Sequence, residues 1–192
     1  PSSISVAWVK KMPLGSDFHA RFSATARRYR YFIDQSTYHR PINHQYALWH
    51  RYALDLDKMR QGAQFLLGEQ DYSALRSSQC QSKTPWRNIH HVRIESCGEW
   101  VMIDCQANAF LHHMVRNVVG MLLMVGESKK PPEWVKAVLD GRDRQLGAPT
   151  AKACGLHLCR VIYPKQYDLP MADQSRSNLD PNSFFPLGLA AL

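Results

Sequence analysis

No apolar run in the sequence approaches the roughly 18 residues that a membrane span needs. The first residues carry neither a basic region nor a signal-type apolar segment, which argues against a membrane or secreted protein. Cysteine is sparse. The five present (Cys80, Cys97, Cys105, Cys154 and Cys159) are irregularly spaced and form no C-x-x-C pair, so neither a disulfide framework nor a cysteine zinc site is indicated. Reduced thiols in a cytoplasm fit this usage. The phosphate-cradling patterns G-x-x-x-x-G-K and G-x-G-x-x-G are missing, and so is the G-x-S-x-G nucleophile turn, which removes nucleotide-driven chemistry and serine hydrolysis of that type.

Carboxylates are few relative to cations: 16 Asp and Glu against 24 Lys and Arg, a formal charge of +8 over 192 residues. With 45% hydrophobic and 21% charged residues, the composition supports a substantial core and excludes disorder for most of the chain. The excess is uneven, since residues 1–60 hold ten basic and four acidic side chains. A polyanionic partner would meet this first third. Within it, Phe18 to Ile33 contains Arg21, Arg27, Arg28 and Arg30, no carboxylate, and Tyr29 and Tyr31 interleaved. Guanidinium groups that hold phosphates beside an aromatic face that receives a base would look like this. A solvated strand with half-buried tyrosines would look the same.

The order of elements follows from periodicity. Ala26 to Ile33 reads as a strand. Leu56 to Leu67 places Leu56, Met59, Ala63, Leu66 and Leu67 on one helical face, capped by Asp55 and ended by Gly68. Glu69 to Pro85 is polar and aperiodic, hence a long loop. Ile89 to Glu95, with a bulge at His90 and His91, and Trp100 to Ala107 form strands joined by a hairpin at Cys97 and Gly98. Phe110 to Val125 carries a broad apolar stripe at a period near 3.6, with His112, His113, Arg116, Asn117 and Gly120 on the other face. A short helix over Pro132 to Leu139 follows paired prolines, and Leu156 to Tyr163 is a final strand.

This β, α, β, β, α, β order is that of the split βαβ, or ferredoxin-like, unit: an α+β fold whose antiparallel sheet has helices on one face. Residues 1–20, with a strand-like run through Ile4, Val6, Trp8 and Val9, read as the remnant of a preceding domain. Residues 21–165 form the main domain and 166–192 a tail.

Paired histidines at 90–91 and 112–113 invite a metal, but neighbours in sequence point in different directions and no ligand set is completed. Arg116 is more informative. On a helix it would share a face with His112 and Gly120, where glycine lets a backbone or ligand approach. It would then anchor a carboxylate or phosphate bidentately, or be a surface charge among small residues.

Four blocks, DFHARFSATARRYRY (Asp17–Tyr31), DYSALRSSQCQSKTPWR (Asp71–Arg87), ANAFLHHMVRNVVG (Ala107–Gly120) and AKACGLHL (Ala151–Leu158), together resemble the tRNA pseudouridine synthase A family. The resemblance implies isomerisation of uridine to pseudouridine in the anticodon arm of tRNA, by a cytoplasmic homodimer without metal or organic cofactor. It implies roles for Tyr29 as the active-site tyrosine that stacks on the target base, Arg116 as the partner of the catalytic carboxylate, and Leu156 as the leucine of the base pocket. Arg21, Arg27, Arg28, His112 and His113 are the expected RNA contacts. The family's nucleophilic aspartate lies in a GRTDAGVH-like block, and no such block occurs here. The chain is therefore expected to be the C-terminal part of such an enzyme and inactive alone. A non-catalytic RNA-binding module of the same fold is the rival reading.

Overall fold

The computed structural model describes residues 9–169. The chain divides into two units, one of Ala26–Val161 and one made of the first 25 residues with those from Ile162 onward. The strand expected near the start falls mostly on residues outside those described, and Val9 to Pro13 are not strand.

In the larger unit, β1 (Ala26–Asp34) is an inner strand of the sheet, and its last four residues are all buried, so both of its faces are covered there. Tyr31 and Ile33 are fully buried in the core, whereas Arg28 and Arg30 project from the reverse face to Asp104 of β5 (Trp100–Ala107). β5 pairs antiparallel with β1 and with β4 (Trp86–Cys97). Between β4 and β5 the register slips by one residue at His90. This bulge lets both Ile89 and Val92, three apart, face the core. Gly98 takes φ +55 in the hairpin turn.

Beyond the final strand β6 (Leu156–Ile162), which pairs with β1, two short strands extend the expected order. β2 (Leu48–Trp49) runs parallel to the end of β1, so the sheet is not wholly antiparallel. β3 (Gly68–Asp71) adds to β4. The run β6-β1-β5-β4 is the ferredoxin-like order. The expected loop over 69–85 is therefore partly structured, and Ser73–Leu75 forms a 3-10 turn.

Three helices cover the face that carries Tyr31, Ile33, Ile89, Val92, Ile103 and Cys105, since their apolar residues join the same cluster. α1 (Leu56–Gln64) starts where Asp55 accepts from the Lys58 N–H at 3.0 Å. α2 spans Met114–Gly126 and starts four residues later than its periodicity suggests. His113 takes φ +64, a left-handed conformation that no helix continues through. Leu111 is nevertheless buried, so the apolar spacing runs on through a turn. α3 (Trp134–Gly141) starts two residues late because the Pro131 and Pro132 carbonyls accept the first N–H groups.

Candidate active site

The alternation of β1 sorts the expected site residues onto two faces. Tyr29 lies on the helix-covered face, half-buried, with its ring edge-on to Phe110 at 5.2 Å between centroids. Burial pushes its phenol above the ordinary value, against the opposing charge of Arg27, so the hydroxyl is protonated at neutral pH. Tyr31, two residues on and so roughly 7 Å along the same face, is completely buried and donates to the Lys152 carbonyl at 2.7 Å.

Arg116 sits in the first turn of α2, partly buried. Its Nε donates to the Ala151 carbonyl at 2.6 Å, and the Ala151 N–H donates back to the Arg116 carbonyl at 3.2 Å. Its terminal nitrogens donate to no other described residue. A guanidinium fixed at Nε, with two terminal NH2 groups that meet no other described residue, is a fork suited to one carboxylate or phosphate. Its charge reaches Tyr31 and His113.

Leu156 opens β6, partly buried against the core. Gly155 just before it permits this docking: a Cβ there would lie 2.6 Å from the Phe32 carbonyl and 2.7 Å from the Tyr31 ring. Ala151 to Leu156 thus brings Arg116 and Leu156 to the buried Tyr31, and Tyr29 follows on the same face of β1.

Arg27 remains on that face, where its Nη1 donates to the Asn108 carbonyl at 2.9 Å. Arg28 does not. It grips Asp104 on the opposite face, Nε to Oδ1 at 2.7 Å, where Arg30 Nε (3.1 Å) and His91 Nε2 (3.0 Å) also meet that carboxylate. Although Asp104 is buried, these hydrogen bonds and the charges of Arg28 and Arg30 hold its carboxyl far below the usual range. Arg27 and Arg28 are therefore not a single phosphate clamp. Arg21 belongs to the smaller unit, with its guanidinium 5.6 Å from the centroid of the Phe22 ring.

His112 lies outside α2, which corrects its expected one-turn spacing from Arg116. It is exposed and stacks on His113 at 3.9 Å. Burial, then the neighbouring charges of His112 and Arg116, push His113 below its ordinary value. Gly120 does share the Arg116 face, and its missing side chain admits the Pro149 carbonyl. Asn117, expected on the polar face, is instead buried, with Nδ2 on the Leu75 carbonyl at 2.8 Å. Its position in an apolar helix is a readable signal, as a buried amide needs partners. Among the described residues no three His, Cys, Asp or Glu side chains converge to hold a metal, and no helix is long and apolar enough to cross a membrane.

A family model described as tRNA pseudouridine synthase matches residues 63–164, a span that includes Arg116 and Leu156 but not Tyr29. The chain is 52% identical over 169 residues to the tRNA pseudouridine synthase A of Haemophilus ducreyi, covering 88% of this chain and 64% of that protein. It is 49% identical over 172 residues to that of Actinobacillus succinogenes (90% and 64%) and 50% identical over 170 residues to that of Haemophilus influenzae (88% and 62%). The chain thus spans somewhat under two thirds of these relatives. With sheet order, sequence blocks and relatives in agreement, the chain belongs to the tRNA pseudouridine synthase family.

Proposed function

We propose that these residues serve the isomerisation of uridine to pseudouridine in the anticodon arm of tRNA, in a cytoplasmic homodimer that needs no metal or organic cofactor. In that reaction the C1′–N1 bond breaks, the base turns, C1′ bonds to C5, the C5 hydrogen leaves as a proton, and N1 takes up a proton, so that the product is an isomer of uridine. The nucleotide must first leave its stack, which costs roughly a few kcal/mol. Stacking on an aromatic ring returns on the order of 1 to 3 kcal/mol, so Tyr29 offsets much of that cost, with Leu156 closing the pocket. The free fork of Arg116 holds the catalytic carboxylate ionised, so that it attacks the sugar or stabilises positive charge there.

The observation that carries this reading is the Arg116 guanidinium, anchored through Nε and, among the described residues, open at both terminal nitrogens. The Tyr29 hydroxyl, which donates to no described residue, is likewise open for proton transfer. Tritium release from 5-tritiated uridine in unmodified tRNA, catalysed by the protein of full reading-frame length, is the test. Tyr29→Phe and Arg116→Ala are expected to cut kcat by far more than they weaken tRNA binding. Equal losses in both would reduce these residues to RNA-backbone contacts.

A further inference from the structure

The segment Pro149–Lys152 is gripped at four successive residues. The Pro149 carbonyl packs where Gly120 has no side chain: an added Cβ would lie 2.2 Å away. The Thr150 hydroxyl donates to Asn117 Oδ1 at 2.7 Å, and Arg144 Nη2 donates to both, at 3.1 Å to Asn117 Oδ1 and 3.0 Å to Thr150 Oγ1. Ala151 exchanges the reciprocal pair of hydrogen bonds with Arg116. The Lys152 carbonyl takes the buried Tyr31 hydroxyl.

Asn117 is 1% exposed and uses both ends of its amide, since Nδ2 is committed to the Leu75 carbonyl. This arrangement couples the chain after α3 to the first turn of α2 through polar contacts as well as the burial of Ala148 and Ala151 in the core. The Ala151 carbonyl is the only described acceptor for the Arg116 guanidinium. Its position therefore fixes the direction in which the two open nitrogens point.

We propose that Thr150 and Asn117 are positioning residues for the reaction: together they hold the Ala151 carbonyl, and thereby aim the Arg116 fork at its anion. The proposal rests on the reading that Arg116 acts at the reacting nucleotide. It differs from a purely structural role because its effect passes through a single guanidinium. Misplacing a catalytic contact by about 1 Å can cost as much as 10²-fold in rate, whereas the strap itself need not meet RNA.

The test uses the protein of full reading-frame length with tRNA as substrate. Thr150→Val keeps the shape, removes the donor, and leaves Asn117 Oδ1 with the Arg144 N–H. It is expected to lower kcat about tenfold, an intermediate share of the loss a misaimed contact can produce, with KM for tRNA changed less than twofold. Thr150→Ser, which restores the hydroxyl, should recover most of the rate. In an Arg116→Lys background, whose ammonium cannot replace the fork, Thr150→Val should cause no further loss of kcat.

Thr150→Val that lowers the melting temperature but leaves kcat intact would overturn the proposal. So would a tenfold loss that multiplies with that of Arg116→Lys, which would place Thr150 on a separate route. If Arg116→Ala itself leaves kcat unchanged, the reading of Arg116 falls and takes the strap with it. That outcome is distinct from the other two.

Discussion

Gly120→Ala offers a prediction whose sign is set by the structure against intrinsic propensity. Glycine in a helix interior is worse than alanine by about 0.8 to 1.0 kcal/mol, so the substitution should stabilise α2 if nothing else mattered. The new Cβ, however, would sit 2.2 Å from the Pro149 carbonyl oxygen, a backbone atom that cannot rotate away. Relief requires the strap to retreat by about 1 Å, and overpacking of this kind costs typically 1 to 3 kcal/mol, occasionally more. Because Thr150, Ala151 and Lys152 are each pinned next to it, a cost near the upper end is expected, for a net loss of about 2 kcal/mol. A domain of this size then melts roughly 4 to 8 °C lower. Gly62→Ala in α1 is the matched control, since its Cβ would meet the Val135 side chain at 3.3 Å and nothing closer. It should lie within about 0.5 kcal/mol of the parent, the helix gain and the tight contact nearly cancelling. Urea and thermal unfolding of both variants give the answer. If Gly120→Ala is as stable as the parent, or more stable, the close approach of the strap to α2 is wrong.

Other expectations follow from the two faces of β1. The folded Asp104 carboxyl lies far below its unfolded value, so the unfolded chain binds more protons between the two values. Its contribution to stability is complete above the ordinary carboxylate range near pH 4 and is lost as pH falls below it. Asp104→Asn should cost about 3 kcal/mol at pH 7, because it removes the buried carboxylate that Arg28 and Arg30 share. It should also flatten the fall of the urea midpoint below pH 4; an unchanged acid limb would remove Asp104 from the account. For tRNA binding, Arg27→Ala should reduce the slope of log Kd against log salt by roughly one unit for each phosphate that is no longer neutralised. Arg28→Ala should leave that slope alone and lower the urea midpoint instead, and the reverse pattern would show that the Arg28–Asp104 pair opens for RNA.

What can be read in the sequence is what local periodicity encodes. β1, the β4–β5 hairpin with its bulge, and the Asp55 cap of α1 all rest on alternation, turn residues or capping chemistry within a few positions. β3 is not readable, because Gly68–Asp71 (GEQD) has no apolar alternation and is a strand only through its ladder with β4. Periodicity misplaces the start of α2 because Leu111 keeps the apolar spacing while His113 turns left-handed. Site chemistry divides in the same way. Tyr29, Arg116 and Leu156 stand out through the resemblance of their blocks, but the destination of Arg28 depends on the cross-strand register that sets Asp104 beside it. The strap over residues 149–152 has no pattern of its own, since its partners come from β1, α2 and the turn at Arg144. Only the tertiary fold brings these together.

The most direct test of the central claim is a crystal structure of the protein of full reading-frame length with its tRNA bound. The account predicts an extruded uridine lying on the Tyr29 ring beside Leu156. It also predicts the two terminal nitrogens of Arg116 about 3 Å from the oxygens of one carboxylate. Arg116 on a backbone phosphate, with Tyr29 and Leu156 away from the target base, would contradict it.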